Sequence, residues 1–521
     1  MSAVNVPPPS SSSTTQRAPV HLLAAGAPAL VAFVVYCVFS IARHERFGSG
    51  SWDMGCYVHN LFILAHGLPP VSSVLGDASF WGGTNHFMPS LYLAAPLAWT
   101  RWTASLLVLQ AALVAAAAIP LALLAKRRGL GPLAVGGVSL AYLFAVGTQS
   151  MIEFDVHEIA PVPLCLFIAL LALDHGPHAK PRAVAYVALV VMAGCKESAI
   201  LYAAAVGLWL AATTRGRRLE GLAIFAVLAA WFYVVTAVIQ PAFLEEGARM
   251  IHVARFKQLG ADPAEIVKHI ALHPLDTFGH LFSPAPKAQT IAVTTGGFAF
   301  LPLLSPTSWL LAAPNLAERF LSDKREMWGL GFHYSLVLVA CWAYGAVDAL
   351  ARVLPSLTAA LARRTTASRA PRALDAGAGA LLALACIASN AAAPFPPELS
   401  TVQKPYMAAP DEVDRYRRAL AVIPDDASVV AQNHFLPHLA FRQHIWLPED
   451  RFLARADYAI LDDRASPWPQ TSTHVIAMLA KLRMDPTWTI AFEEASTVVF
   501  KRAPPASDET TTSAPVDRTP P

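Results

Sequence analysis

Charged side chains are scarce in this sequence. Asp, Glu, Lys and Arg make up 14% of its 521 residues, whereas 55% of the residues are hydrophobic. Soluble globular proteins average about 25% charged residues. Several uncharged runs reach the roughly 20 residues that a helix needs to cross a bilayer. The shortage of charge therefore indicates a membrane protein that crosses the bilayer several times, and it excludes an ordinary soluble domain.

The sequence also lacks the signatures of several common kinds of site. Its net charge of +3 is too small to indicate a nucleic-acid partner. Its six cysteines include no C-x-x-C pair, so neither a zinc site nor a disulfide framework is indicated. The Walker A, G-x-G-x-x-G, H-E-x-x-H and G-x-S-x-G motifs are absent too. These absences leave nucleotide-driven transport and serine or zinc proteolysis without support.

The uncharged runs predict about eleven membrane-spanning helices within residues 20–397. One run is long enough for two helices, because Ser305 and Pro306 form a turn signal in its middle. The segment 89–99 is expected to lie along the outer membrane surface instead of crossing. The runs are 20–42, 104–125, 130–152, 159–173, 183–195, 198–214, 221–244, 288–317, 328–347 and 376–397.

Positively charged loops predict the orientation, since Lys and Arg are enriched on the cytoplasmic side. With the N-terminus in the cytoplasm, most basic loops fall on that side, and the loops 43–103 and 245–287 lie outside. Arg43, Arg46 and Arg101 also fall outside and count against this orientation. The basic loops that support it are at 126–128, 180–182, 215–218 and 352–372. The sequence therefore predicts a multi-pass inner-membrane protein with a cytoplasmic N-terminus.

Residues 398–502 have the composition of a soluble domain. Helices are predicted near 411–422 and 471–482, and strands at 428–431, 457–463, 488–492 and 497–501. This alternation favours a small α/β domain, and the number of crossings places it outside the cytoplasm. The tails 1–19 and 503–521 are rich in Ser, Thr and Pro and are predicted to be disordered. The predicted fold is thus an all-α polytopic membrane domain followed by an extracytoplasmic α/β domain.

Asp53 lies in the first outer loop and has two possible roles. A carboxylate in a partly desolvated site can act as a general base and deprotonate an acceptor hydroxyl. Asp is also a favoured N-cap residue, so Asp53 could equally cap a helix over residues 54–65. The sequence leaves both interpretations open.

Other unusual polar groups also gather on the predicted outer side. Acidic and histidine side chains at membrane depth are costly unless they face a cavity, which makes them candidates for function. Their convergence predicts a polar cavity at the outer leaflet. The candidates for substrate binding are His86, Asp155, His157, Glu158, Lys196, Glu197, Asn315, Arg319, His333 and Tyr334.

Several of these candidates have a structural interpretation as well. Asp155 and His157 offer ligands that suit Mg²⁺ or Mn²⁺, so a divalent cation is the one cofactor considered, but a solvated loop explains them equally well. Lys196 and Glu197 could form an ion pair at a helical turn, or Glu197 could orient Lys196 toward a phosphate. Tyr334 could be an interface anchor.

A set of short motifs resembles a known family. The resemblance to the bacterial membrane-protein family of unknown function 2079 extends over roughly residues 20 to 500. That family usually has Phe where Trp52 stands and an acidic residue where Ser198 stands. The motifs, in order, are SWDMG, LFILAHG, NHFMP, LYLAAPL, EFDVHE, CKES, FLPLLSP, PNL and HYS.

The family is similar in layout to the C-type glycosyltransferase superfamily. That resemblance implies a polyprenyl-phosphate sugar as donor, an acceptor of unknown identity on the outer face, and membrane lipid as partner. It implies Asp53 as catalytic base. In such a reaction we expect Lys196, His86, His157 and His333 to neutralise the departing phosphate. The alternative is a non-catalytic membrane protein, either a transporter or a ligand-binding sensor. A transporter should show structural repeats and polar groups deep in several helices, and the sequence shows neither.

Overall fold

The computed structural model describes residues 18–81, 86–174, 182–244, 253–261, 263–363, 370–393 and 409–503. Several predictions lie outside these ranges: most of both tails, the domain boundary at 397–398, and the basic residues Lys180, Arg364 and Arg369. Within them the chain is mostly helical.

The part before residue 394 contains eighteen described α-helices and one short β-hairpin. The hairpin strands are β1 (Val71–Ser72) and β2 (Ala78–Ser79). The helices are α1 (Ala18–Glu45), α2 (Cys56–Ala65), α3 (Ser105–Ala116), α4 (Ala118–Arg127), α5 (Pro132–Phe144), α6 (Val146–Glu153), α7 (Val162–Leu173), α8 (Arg182–Ala193), α9 (Glu197–Thr213), α10 (Arg218–Val234), α11 (Gln240–Ala242), α12 (Pro263–Leu272), α13 (Pro274–His280), α14 (Ala285–Gly296), α15 (Pro306–Phe320), α16 (Arg325–Trp328), α17 (Leu336–Ala362) and α18 (Ala370–Ala392).

In the described chain, five helices are long and apolar enough to cross a membrane. The count becomes six if α5 and α6, bent by 40°, form one span, and α7, α8 and α9 are shorter apolar helices. The polytopic membrane architecture is therefore confirmed, whereas the number eleven stays a prediction. The run 288–317 does contain two helices, α14 and α15, and Ser305 caps α15 by accepting a hydrogen bond from the backbone N–H of Ser308.

Glycines bring pairs of these apolar helices close together. A Cβ placed on Gly137 of α5 would lie 2.8 Å from the Cα and carbonyl oxygen of Gly379 in α18. A Cβ on Gly207 of α9 would lie 2.6 Å from the carbonyl oxygen of Gly221 in α10. Helices within a bilayer gain no hydrophobic energy from association, so close backbone packing through small residues stabilises them.

The segment Pro89–Thr100 is a 3₁₀-helix with an unusually exposed apolar surface. Tyr92, Leu93 and Trp99 all present large exposed side chains there. This arrangement suits the membrane-surface position predicted for the segment, because aromatic side chains favour the bilayer interface.

The C-terminal region forms a mixed five-stranded sheet, which confirms the prediction of a small α/β unit. The strand order is β4-β3-β5-β7-β6. Strands β4, β3 and β5 are parallel, and β7 runs antiparallel to both of its neighbours, β5 and β6. The strands are β3 (Val429–Ala431), β4 (Ile445–Trp446), β5 (Tyr458–Asp462), β6 (Trp488–Glu494) and β7 (Thr497–Arg502). The helices are α19 (Pro410–Ala421), α20 (Leu436–Leu439), α21 (Asp450–Leu453) and α22 (Ser472–Met484).

This sheet domain shares one hydrophobic core with the first outer loop. Met54 and Leu61 of the loop are fully buried in the same cluster as Leu436 and Ile445 of the domain. Phe47, just after α1, adopts a left-handed φ of 58° and packs its ring edge-on against Tyr416 at 5.0 Å. Since Asp53 follows this turn, the C-terminal domain helps to fix its position.

Candidate functional site

Asp53 lies in a single π-helical turn, Ser51–Gly55, that leads directly into α2. The N-cap position of α2 is Gly55, and no side chain makes a capping hydrogen bond there. The N-cap interpretation of Asp53 is therefore wrong. Its carboxylate is 31% exposed, and Oδ1 lies 3.8 Å from Nε2 of His157.

The surroundings of Asp53 change its acidity. Desolvation by burial raises the pKa of Asp53 to about 6, since burial disfavours the charged form, and the ring of His157 offsets part of the rise. Although part of the side chain is accessible to water, the surrounding protein atoms are dense enough to desolvate it. A carboxylate with a pKa close to neutral is better matched to general-base catalysis than an ordinary Asp.

Two side chains from distant parts of the chain hold the turn in place. The buried Asp155 accepts from the Arg43 guanidinium with one oxygen and from the Gly50 N–H, at 2.8 Å, with the other. Oδ1 of Asn433 accepts from the N–H of Ser51 at 2.7 Å and from its hydroxyl at 2.6 Å. Since both oxygens of Asp155 are engaged, it positions the turn, and the substrate-binding role predicted for it is not supported.

His157 lies between two carboxylates. Its Nε2 faces Asp53, and its Nδ1 lies 3.6 Å from Oε2 of Glu158. Its ring contacts that of His333 at a tilt of 33° with centroids 3.5 Å apart, and its backbone N–H donates to Oε1 of Gln110 at 2.9 Å. The two imidazoles predicted to share a cavity are thus in contact, although 176 residues separate them in the sequence.

Glu158 is the buried centre of the cluster. Its carboxylate lies 3.2 Å from Nζ of Lys196 and 3.9 Å from Nε2 of His86, and it accepts from the hydroxyl of Tyr57. Burial alone would raise the pKa of Glu158, but Lys196 and His86 hold it well below its usual range. Glu158 therefore carries a negative charge that balances the Lys196 ammonium.

Lys196 and Glu197 both belong to the cluster, with different partners. Nζ of Lys196 also lies 3.9 Å from Glu318, while Glu197 accepts from Nδ1 of His86 at 2.8 Å and from the Phe87 N–H at 3.2 Å. A cation immediately before the first residue of α9 is disfavoured by the helix dipole. The contact with Glu158 compensates for that position, and Glu197 orients His86.

The end of α15 contributes further polar groups. The Asn315 amide donates to the Tyr202 hydroxyl at 3.2 Å, and that hydroxyl donates to Glu318. Arg319 is fully buried and donates to the carbonyl oxygens of Met327, at 2.7 Å, and Gly329, at 3.0 Å. Arg319 therefore fixes the loop that leads to His333, and the substrate-binding role predicted for it is not supported.

Sequence reasoning left three members of the cluster out of the predicted site. Glu318 carried a usable signal, since it is an acidic residue at the end of an apolar helix. Tyr57 and Tyr202 gave none, because a tyrosine in an apolar segment is usually a packing or interface residue. Tyr334, which was predicted, contacts the ring of His333 at a tilt of 42°, with ring centroids 4.1 Å apart.

The balance of charge limits what the site can bind. The four carboxylates of Asp53, Glu158, Glu197 and Glu318 face one ammonium, that of Lys196, and three imidazoles. Among the described residues, no three or more His, Cys, Asp or Glu side chains are arranged to hold a metal ion. A divalent cation at Asp155 and His157 would have to displace Arg43 from Asp155, and it stays an untested prediction.

An apolar cavity of about 200 Å³ adjoins the cluster. Its walls come mainly from the 3₁₀-helix Pro89–Thr100 and from α3, through side chains such as Leu93 and Leu109. Tyr57, His157 and Glu158 also line it. The arrangement offers a binding place for an apolar chain that carries a polar head group.

Comparison with known proteins gave a family match and similar solved structures. The family described as "Predicted membrane protein (DUF2079)" matches residues 43–499. No curated protein matches. The crystal structure of ArnT from Cupriavidus metallidurans in the apo state is similar with a TM-score of 0.46 and 14% identity, over 91% of this chain and 97% of that chain.

Proposed function

The chain belongs to the DUF2079 family of predicted membrane proteins, and from that premise and the site geometry we propose that it is a glycosyltransferase. It transfers a sugar from a polyprenyl-phosphate donor to an acceptor at the outer face of the bacterial inner membrane. The observation that carries the proposal is Asp53. Its partly exposed carboxylate lies 3.8 Å from His157, next to a cluster of buried ionisable groups.

In the proposed reaction Asp53 takes the proton of an acceptor hydroxyl. The oxygen attacks the anomeric carbon of the donor sugar, the bond between that carbon and the phosphate oxygen breaks, and polyprenyl phosphate leaves. The proton then stays on Asp53, whose Oδ1 lies 3.8 Å from Nε2 of His157. Resemblance to the layout of the C-type glycosyltransferase superfamily supports the same assignment of Asp53.

The donor phosphate requires positive charge that Lys196 alone does not supply. Its ammonium already balances Glu158. His86, His157 and His333 belong to the same cluster and can donate ring N–H groups to the phosphate.

The apolar cavity beside Tyr57 and His157 suits the lipid part of the donor. Its lining is almost entirely hydrophobic, and Glu158 and His157 are among its few polar lining residues. A prenyl chain in this cavity would bring its phosphate close to Lys196, which lies 3.2 Å from Glu158.

Deletion of the gene in its host tests the proposal. Mass spectrometry should show that one polyprenyl-phosphate sugar accumulates and that an envelope glycan loses one kind of sugar. A plasmid copy of the wild type should restore the glycan, whereas Asp53→Asn should not. Asp450→Asn is the matched control, since Asp450 is 61% exposed on the surface of the C-terminal domain.

The alternative functions give a different result in the same experiment. A transporter or a ligand-binding sensor would leave the lipid-linked sugars unchanged in kind and amount. Unaltered lipid-linked sugars together with unaltered envelope glycans in the deletion strain would contradict the glycosyltransferase proposal.

A further inference from the structure

Two adjacent residues at the end of β3 each anchor a segment that carries an exposed tryptophan. Gln432 is fully buried, donates to the carbonyl oxygen of Ser466 at 3.0 Å and accepts from the N–H of Asp462 at 2.8 Å. Asn433 accepts from the N–H and the hydroxyl of Ser51. Gln432 therefore fixes the loop after β5, which carries Trp468, and Asn433 fixes the turn that carries Trp52.

The location of these loops in the sheet is a typical place for a ligand. The chain leaves β3 toward β4 on one side and leaves β5 toward β6 and β7 on the other. Connections that diverge in this way open a crevice at the carboxyl ends of the two neighbouring parallel strands, where α/β sheets commonly bind ligands. Asn433 and Trp468 both follow the carboxyl ends of those strands.

The two indoles meet at this crevice although 416 residues separate them in the sequence. Their ring centroids are 6.5 Å apart at an angle of 62°, and the side chains of Trp52 and Trp468 are 43% and 51% exposed. Asp53 follows Trp52 directly, and its neighbour Ser51 is held by Asn433. The two indoles, set at an angle to each other, thus lie next to the carboxylate that we assign as the catalytic base.

The surroundings of Trp468 indicate a polar ligand and not a lipid surface. Around it the loop is hydrophilic, with exposed Asp463, Arg464 and Ser466. A segment that inserts into a bilayer needs an apolar face of several residues, which this loop does not have. A ligand with both an apolar face and a polar rim fits such a site, and a pyranose ring has both: C–H groups on its faces and hydroxyls around its edge.

We propose that this crevice binds a sugar ring of the acceptor, stacked on Trp52 and Trp468, with one hydroxyl directed at Asp53. The identification of this sugar as part of the acceptor rests on the function proposed above. The polar side chains of the Trp468 loop would hydrogen-bond the ring hydroxyls. The C-terminal domain then provides half of the acceptor site, beyond holding the turn that carries Asp53.

The experiment measures saccharide binding in the absence of any donor. Full-length protein in nanodiscs is titrated with chitotriose, mannotriose and galactotriose, and binding is followed by saturation-transfer NMR on the saccharide protons. The variants are Trp52→Ala, Trp468→Ala and Trp468→Phe. Trp99→Ala is the control, because Trp99 is an exposed indole on the 3₁₀-helix at the predicted membrane surface.

The wild type should bind at least one trisaccharide. Each alanine variant should weaken binding by about tenfold, the effect of losing one aromatic contact, while Trp468→Phe keeps most of the affinity and Trp99→Ala all of it. A wild type that binds none of the three probes, or unchanged affinity in both alanine variants, overturns the inference. A thermal unfolding curve for each variant distinguishes loss of the contact from loss of the fold.

The two proposals fail separately. Because the measurement needs no donor and no turnover, tryptophan-dependent saccharide binding together with unchanged glycans in the deletion strain would contradict the glycosyltransferase but leave the saccharide site in place. Sugar transfer that is lost in the deletion strain, with trisaccharide binding unaffected by both alanine variants, would overturn the tryptophan site alone.

Discussion

Asp53 and Asp155 are carboxylates of the same outer region with opposite surroundings. Asp155 is buried and uses both oxygens, one on the Arg43 guanidinium and one on the Gly50 N–H. Asp53 faces the imidazole of His157, stays partly exposed, and has a pKa raised to about 6. These different surroundings suit Asp155 to a structural role and Asp53 to proton transfer.

Asp53→Asn should lower sugar transfer by roughly a hundredfold or more, the usual scale of general-base catalysis. Asparagine keeps the shape and hydrogen-bonding capacity of the side chain but cannot accept the proton. Transfer of radiolabelled sugar from a lipid extract of the deletion strain provides the assay, with Asp450→Asn as the matched control. Wild-type turnover in Asp53→Asn would remove Asp53 as the base.

The pH dependence of the same assay follows from the raised pKa of Asp53. A base must be ionised, so turnover should rise as the pH increases through about 6, and the rise should be missing from the residual activity of Asp53→Asn. The free energy of unfolding should change in the opposite direction and fall as the pH rises through about 6. The native state holds this proton up to about pH 6, while the unfolded chain loses it near pH 4, so ionisation destabilises the fold.

Asp53→Asn should therefore melt at the same temperature as the wild type at pH 7, or at a slightly higher one. A melting curve in detergent at pH 7 checks this sign. A clear loss of thermal stability would show that the carboxylate contributes to the fold, contrary to its assignment as a proton acceptor.

The ion pair of Lys196 and Glu158 gives a residue-scale prediction about stability. Lys196→Met leaves the buried Glu158 carboxylate without its nearest ammonium, which typically costs about 3–5 kcal/mol. The double variant Lys196→Met with Glu158→Gln removes both charges and should recover more than half of the loss. Unfolding of all four proteins in detergent completes the cycle, and additive effects of the two changes would contradict direct coupling.

At the scale of elements, sequence patterns predicted the five long apolar helices of the membrane domain and most strands of the C-terminal domain. They failed where a long-range partner decides the role of a side chain. Arg43 counted against the predicted topology as an outer-loop charge, yet it is buried and paired with Asp155, 112 residues later. No local pattern specifies such a partner, since the pairing depends on how α1 packs against the end of α6.

The same limit applies to the turn that carries Asp53. Its sequence suggested a helix cap, but the bonds that shape it come from Asp155 and from Asn433, almost 400 residues away. The signal that Lys196 and Glu197 were functional was local, because charges interrupt two apolar runs. Their actual contacts, with Glu158 and His86, became visible only when the helices were assembled.

Helix packing gives a prediction with an internal control. Gly379→Ala should destabilise the protein, because the new Cβ would lie 2.5 Å from the backbone carbonyl oxygen of Leu133 in α5. Gly377→Ala, two residues earlier in the same helix, has no atom within 4 Å of its Cβ and should be neutral or stabilising by up to about 1 kcal/mol. Equal melting temperatures for the two variants in detergent would contradict close packing of α5 on α18.

At the scale of the whole molecule, the C-terminal domain is part of the site and not an appendage. Its core is continuous with that of the first outer loop, and Asn433 reaches the turn before Asp53. Composition indicated a separate soluble domain after residue 397, because a fall in hydropathy is visible in the sequence. The shared core was not predictable, since the apolar residues of a loop do not reveal which surface they will cover.

This coupling makes the orientation of the chain testable at two points. If the C-terminal domain covers Asp53, the domain and the loop 43–103 must lie on the same side of the membrane. The basic residues Lys126, Arg127 and Arg128 lie at and after the end of the span formed by α3 and α4, which is long enough to cross the bilayer. They are predicted to be cytoplasmic.

Alkaline phosphatase fused after Arg128 should therefore be inactive, and the same reporter fused after Arg502 should be active. Green fluorescent protein at the two positions should give the reverse result. Activity of one reporter at both positions would contradict the predicted topology, and an inactive phosphatase after Arg502 would also exclude a site that works on the outer face.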